Sequence, residues 1–342
     1  MWNDSVLPCV LALVLLAITA TVAPGADVPV VDYAVPDAPA FTFLGVSPTA
    51  ASQPGSPRDM AVTLLNAVGE HGEIQQGFAL DVTPSTLLPA LNVDLDRYQK
   101  SWSAYVLATT QLSVGTARAS GDSASTDLAV GIRVNLVDEG DPMRDPGFTA
   151  ALAKAFADCR PALPGERSSQ SCLDEKSEEL RAAWFEEHWN ARRLSLGLAG
   201  GARAERSEID RTEWLGTSIW LVGSQPLMKY GQFRAQVQFD QRQAQAAQPR
   251  EGVLRYAGQA RIGSGSTNAF LELVGIEHLE KGAPADASSG KWSAGLEFRA
   301  SEGLWISTGF GSRFATAEEP DRVLVIAQVR WGLSHSSRLD SI

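Results

Sequence analysis

Four histidines, a pair of cysteines, a knot of acids and a spaced series of arginines are the residues of this chain that could do chemistry. His71, His188, His278 and His335 share no helix or strand at metal-ligand spacing, so no metal centre is expected. His278 falls at a strand end and His335 lies between Ser334 and Ser336, but neither has an Asn or Asp placed to orient it for Ser-His hydrolysis. No GxSxG, phosphate loop or EF-hand loop occurs. Catalysis is not expected, and no cofactor is implied. Val137-Asp-Glu-Gly-Asp141 could hold Ca²⁺ weakly, or be only the exit of a strand. Cys159 and Cys172 lack CxxC spacing, and in an oxidising compartment a disulfide closing a short loop is their expected use.

The arginines stand on one face of long alternating runs. In Asp127–Leu136, Leu128, Val130, Ile132, Val134 and Leu136 share a face opposite Asp127, Ala129, Gly131, Arg133 and Asn135. Phe233, Val237 and Phe239 likewise oppose Gln232, Arg234, Gln236 and Asp240. Leu254, Tyr256 and Ile262 oppose Arg255, Gln259 and Arg261, while Trp292, Leu296 and Phe298 oppose Glu297 and Arg299. In the last run, Val325, Val329 and Trp331 oppose Gln328 and Arg330. A period of two predicts strands with one apolar and one polar face. Such runs fall at about 75–83, 102–117, 126–138, 191–206, 212–224, 230–243, 251–263, 267–278, 290–300, 303–315 and 321–334.

Alternation does not say which face is inside: a soluble barrel turns its apolar face inward, a membrane barrel turns it to lipid. Most of these runs reach the ~9–11 residues of a spanning strand, beyond the ~5–6 typical of soluble ones. Trp102, Trp214, Tyr230, Trp292, Trp305, Phe314 and Trp331 gather towards run ends, as an interfacial girdle would. The polar faces favour Gly, Gln and Arg, the residues of a crowded lumen. Arg133, Asn135, Arg234, Gln236, Arg255, Arg261, Glu297, Arg299, Gln328 and Arg330 are the candidate lumen lining. Tight links near 263–267 and 300–303 alternate with longer ones at 241–250, 279–290 and 315–320. The expected fold is therefore all-β, an antiparallel transmembrane β-barrel of about twelve strands with a small helical hairpin inserted. Closed bacterial barrels normally hold an even number of strands, and Leu91-Asn-Val-Asp-Leu-Asp96 is the best candidate for the twelfth.

The run Leu7–Ala20 has the length of a signal-peptide core, with small residues at Ala20, Ala23 and Ala26, so residues 1–26 are expected to be a signal peptide rather than a retained anchor. Residues 27–74, rich in Pro and Ala, carry a capped short helix after Ser56-Pro-Arg-Asp59; they plug the barrel or lie beneath its periplasmic mouth. The barrel proper spans 75–334, and 335–342 forms a tail without the usual terminal aromatic. Within the insertion 139–190, Pro146–Ala157 and Leu173–Trp189 read as helices, with Leu180, Trp184 and Phe185 sharing a side. This hairpin docks a protein partner, gates the mouth of the barrel or merely decorates a loop, and its side of the membrane depends on where the missing strand lies. A formal charge of −11 argues against nucleic acid as a partner; outer-membrane lipid is the expected one.

Several phrases together resemble a poorly characterised group of bacterial outer-membrane β-barrel proteins. They are Pro36-Asp-Ala-Pro-Ala-Phe41, Leu44-Gly-Val-Ser-Pro48, Ser56-Pro-Arg-Asp59, Gly77-Phe-Ala-Leu-Asp81, Thr110-Gln-Leu-Ser113 and Gly131-Ile-Arg-Val-Asn-Leu-Val-Asp-Glu-Gly-Asp-Pro142. The resemblance covers roughly residues 36–142. It implies the outer membrane of a Gram-negative bacterium and transfers no activity. Two functions follow from the lumen: a passive channel, in which surplus arginine favours anionic solutes, or a sealed scaffold whose charges pair across the interior.

Overall fold

The computed structural model describes residues 33–46, 75–87, 91–119, 125–159, 170–208, 210–243, 251–279, 289–301, 304–313 and 324–331. The expected signal peptide, the helix after Ser56, the tail, His71, His335 and Phe314 lie outside these residues. No helix among the described residues is long and apolar enough to cross a membrane, which says nothing of strands.

Eleven strands form one sheet in chain order, each antiparallel to its neighbour. They are β1 (Ala79–Val82), β2 (Gln111–Arg118), β3 (Thr126–Asp138), β4 (Arg193–Ala204), β5 (Thr212–Leu227) and β6 (Gly231–Arg242). β7 (Glu251–Gly263), β8 (Thr267–His278), β9 (Ser289–Ser301), β10 (Leu304–Arg313) and β11 (Leu324–Trp331) complete it. The sheet is open: no pairing joins β1 to β11 among the described residues. Among the described residues the strands thus make an eleven-stranded meander that is not closed into the even-numbered barrel expected from sequence, with a first strand of only four residues.

Two further expectations are corrected. The run at 102–117 opens as a helix, α4 (Trp102–Thr109), because the Ser101 hydroxyl accepts from the Ala104 N–H and Tyr105 and Leu107 break the alternation. The proposed twelfth strand at 91–96 instead leads into α3 (Leu95–Lys100), whose Asp94 carboxylate caps the Arg97 N–H at 2.8 Å. A four-residue helix, α2 (Pro84–Leu87), precedes them. Short-range side-chain capping outweighs a weak period of two in both places.

The two faces of the sheet are buried in the reverse of the usual sense. Along β5, Ser218, Trp220, Val222 and Ser224 are buried while Ile219 and Leu221 are exposed. Leu271 and Leu273 are each 52% exposed, whereas Arg261 and Glu297, on the opposite face, are 1% and 2% exposed. That charged face is covered by residues 33–46, including the short helix α1 (Pro39–Leu44). This segment packs on β2, β3 and β4, and one hydrophobic cluster joins it to residues of β1, β5, β7 and β8. In a flat sheet β1 and β8 would lie ~34 Å apart, far wider than the ~10–12 Å of a helix, so the sheet curls around the segment.

The insertion after β3 folds as α5 (Pro146–Asp158) and α6 (Gln170–Glu187), with Cys159 and Cys172 disulfide-bonded as expected. Asp145 caps α5 through the Phe148 N–H, and Phe148 meets Trp184 of α6 edge-on at 5.6 Å. The hairpin lies at the tight-turn end of the sheet. Asn190 donates to the Gly231 carbonyl, Ser224 to the Ala191 carbonyl, and Glu186 stands 3.8 Å from Arg299. No strand is added between β4 and β10 among the described residues, so the hairpin shares its end of the sheet with the tight turns. A disulfide closing so short a loop contributes about 3 kcal/mol in the chain-entropy account. Cys159→Ser with Cys172→Ser is expected to speed amide exchange in α5 and α6 about a hundredfold, leaving β5–β8 unchanged. Equal acceleration in those strands, measured by exchange mass spectrometry, would show the hairpin to be part of one cooperative unit.

Candidate functional site

The inner face and the segment lying on it form the site. Pro39 starts α1, and Gly45 ends it in the left-handed region at φ 69°, its N–H bonding back to the Thr42 carbonyl. Phe41 and Phe43 are buried against the sheet. Glycines make room for them. A methyl group at Gly115 would come within 2.6 Å of the Phe41 ring, and one at Gly131 within 2.6 Å of the Ala40 nitrogen. Gly197 faces Val35, and Gly201 faces Phe43. Small residues on β2–β4 thus form a track fitted to this segment.

Polar contacts fix its position. Arg133 forms an ion pair with Asp37, and the Ala40 N–H donates to Ser113 Oγ at 3.0 Å. Tyr33 Oη donates to Glu272 Oε1 at 2.9 Å, and Ser293 Oγ donates to Glu272 Oε2 at 3.2 Å. At the loop end, Arg242 donates to the Phe43 carbonyl and lies over the Phe43 ring.

Several of the other candidate lining residues are engaged as well. Arg261 pairs with Glu297, both fully buried. Asn135 accepts from Ser195 Oγ at 2.8 Å, and Arg234 donates to Gln232 at 2.6 Å. Arg255 pairs with Asp240, which also accepts from Ser218 and Gln238. Gln236 shares this face, half-buried, and Arg299 meets Glu186 of the hairpin. Gln328 and Arg330 stand opposite Ser307 and Trp305 in the register. Sequence reasoning missed Tyr33, Asp37, Phe41, Phe43 and Glu272. The available signal was glycine gathering on the polar faces of β2–β4, where later strands carry Gln and Arg.

The aromatics divide by strand end. Trp214 and Trp292 lie towards the loop end, on the outer face, and Trp214 is 54% exposed. At the tight-turn end, Tyr230 occupies the β5–β6 turn and Trp102 opens α4. The β3–β4 register skips Leu136, and the carbonyl of that bulged residue accepts from Trp102 Nε1 at 2.8 Å. Trp331 stands opposite Leu304. Trp305, expected among them, is buried on the inner face, because it shares the Ser307 and Gly309 side of β10 and stands opposite Arg299 in the register.

The acid knot is used within the fold. Asp138 pairs with Arg193 at 3.0 Å, Glu139 with Arg192, and Asp141 accepts from Tyr98 Oη and the Met143 N–H. Tyr98 and Asp141 join α3 to the hairpin insertion. Burial raises the Asp141 carboxyl above the usual aspartate range, outweighing the lowering by those hydrogen bonds. Burial, then the Asp141 hydrogen bond, keeps the Tyr98 phenol protonated well above the usual tyrosine range. A carboxyl whose folded pKa is raised contributes stability that is full below the unfolded value of ~3.9 and lost as pH rises through the folded value. Local stability of α3–α6 is therefore expected to increase from pH 7 towards pH 4.5, and Asp141→Asn to flatten that slope. Exchange protection at the two pH values checks this; an unchanged slope in the variant would assign it to another group.

Neither described histidine makes a catalytic pair. His188 stacks on Trp184 at 3.6 Å, and His278 Nδ1 lies 3.6 Å from Glu251. No group of three or more His, Cys, Asp or Glu placed to hold a metal occurs among the described residues. No protein-family model, curated protein or solved structure matches the chain.

Proposed function

We propose that the protein is an outer-membrane β-barrel of a Gram-negative bacterium, sealed by its own residues 33–46, with its helices forming a cap at the periplasmic mouth. The observation that carries this reading is the reversed burial of the sheet. Leu198, Ile219, Phe233, Val237, Ile262, Leu271, Leu273 and Leu296 are all at least 36% exposed on the outer face. With their neighbours they expose on the order of 1,000 Å² of apolar surface, against the few hundred of a soluble monomer. Lipid is the medium such a face requires.

The dimensions agree. From Trp214 to Leu227 the chain rises roughly 43 Å along β5, or about 33 Å across a bilayer at the usual ~40° tilt, against a hydrocarbon core of ~30 Å. Tight turns in such barrels face the periplasm, which supports reading the α5–α6 hairpin as a periplasmic surface for a protein partner. The sealed reading is preferred to an open porin because Arg133, Arg234, Arg255, Arg261 and Arg299 are engaged by carboxylates, an amide and the segment itself.

Membrane fractionation and planar-bilayer recording of the purified full chain test both parts. The expected result is recovery with outer membranes and no stable current. A steady current would remove the sealed reading, and recovery in the soluble fraction would remove the membrane one.

A further inference from the structure

We infer that a cavity of about 250 Å³ at the loop end of the inner face binds a neutral sugar of monosaccharide size. Its walls come from two sources: Thr42 and Phe43 of the covering segment on one side, β5, β6 and β7 on the other. The volume suits one pyranose ring and falls just short of the ~300–1,000 Å³ of drug-sized sites.

The charges select the ligand class. Asp240 and Glu251 bring two negative charges to the lining, Arg242 and Arg255 two positive ones, so no net field favours an ion. Asp240 and Arg255 already neutralise one another. What remains is a close alternation of donors and acceptors. Five N–H groups sit on each guanidinium, and Arg242 uses one on the Phe43 carbonyl. Glu251 supplies acceptors, and Gln238 an amide already oriented by its bond to Asp240 at 2.8 Å. A carboxylate ligand can only accept and an ammonium can only donate, whereas each sugar hydroxyl does both. Val253 and the edges of the buried Phe43 and Trp220 rings supply the apolar part of the wall, the Phe43 face itself being taken by Arg242.

The site is built in advance. Asp240 is held by Ser218, Gln238 and Arg255, so little ordering remains when a ligand binds. Access is through Glu251 and Arg255, whose side chains are 53% and 45% exposed. Because the covering segment forms one wall, an occupied cavity also ties that segment to β6 and β7.

The test uses the full chain in detergent micelles, so it does not depend on whether the strands cross a bilayer. Saturation-transfer NMR is recorded with glucose, galactose and mannose, beside glucuronate and alanine as anionic and zwitterionic probes. Transfer to at least one neutral hexose is expected, with affinity falling at least tenfold in Gln238→Leu and in Arg242→Met. Gly258→Ala, where the added methyl meets only the Phe233 ring at 3.5 Å on the outer face, should bind as the parent does. Gln238→Leu leaves the Asp240–Arg255 pair in place and serves if Arg242→Met unfolds. The inference is overturned by absence of transfer to all three hexoses, by stronger binding of glucuronate or alanine, or by hexose binding that Gln238→Leu leaves unaltered.

Discussion

Replacing Arg261 by methionine is expected to lower the unfolding free energy by about 3–5 kcal/mol, the usual cost of leaving one member of a buried ion pair alone. Arg261 lies on β7 and Glu297 on β9, with β8 between them, and both side chains are almost fully buried. The guanidinium therefore reaches over a whole strand to its partner. Such a link has no counterpart in the backbone ladder, and it favours the curled sheet over the flat one. In Arg261→Met the Glu297 carboxylate stays in place with its main counter-charge removed. The double change Arg261→Met with Glu297→Leu removes both charges, and it should recover most of the loss because an apolar pair of similar volume carries no desolvation penalty. Urea unfolding of refolded protein, followed by tryptophan fluorescence, measures both. A loss below about 1 kcal/mol in the single variant would match an exposed pair and would show that this pair does not hold the curl of the sheet.

Gly131→Leu is expected to expel residues 33–46 from the sheet. Even a single methyl there would come within 2.6 Å of the Ala40 nitrogen and 2.9 Å of Pro39 Cβ. The first is backbone, which cannot move aside as a flexible side chain would. Overpacking of this kind costs about 1–3 kcal/mol or more, enough for a tenfold to hundredfold rise in proteolysis within 33–46. Loss of this cover also exposes Arg133, whose counter-charge Asp37 leaves with the segment. The proposed seal then predicts ion current from the variant and none from the parent. Gly258→Ala is the control for glycine replacement, since its methyl meets only a side chain at ordinary contact distance. If limited proteolysis cuts parent and variant at the same rate, the glycine track does not hold the segment.

The local grammar of the chain was legible. Alternation located nine of the strands to within a few residues, because side chains on a strand point to opposite faces whatever surrounds it. Pro146 and the apolar spacing after it marked α5, and two cysteines flanking a short loop marked their bond. Where alternation was weak, at Leu91–Asp96 and Trp102–Thr109, side-chain caps from Asp94 and Ser101 decided for helix. Those caps are readable in the sequence, and their local hydrogen bonds outweigh a weak period of two.

Tertiary structure decided the rest. It determined that the charged face is the buried one, that Trp305 shares that face, and that residues 33–46 lie along it. It also chose which arginine meets which acid: Asp37 for Arg133, Asp240 for Arg255, Glu297 for Arg261. These partners lie far apart along the chain or across an intervening strand, and they meet only once the sheet curls. A period of two is a property of consecutive residues, so sequence alone established two unlike faces. Curvature is a property of all the strands together, and it alone decided which face became the inside.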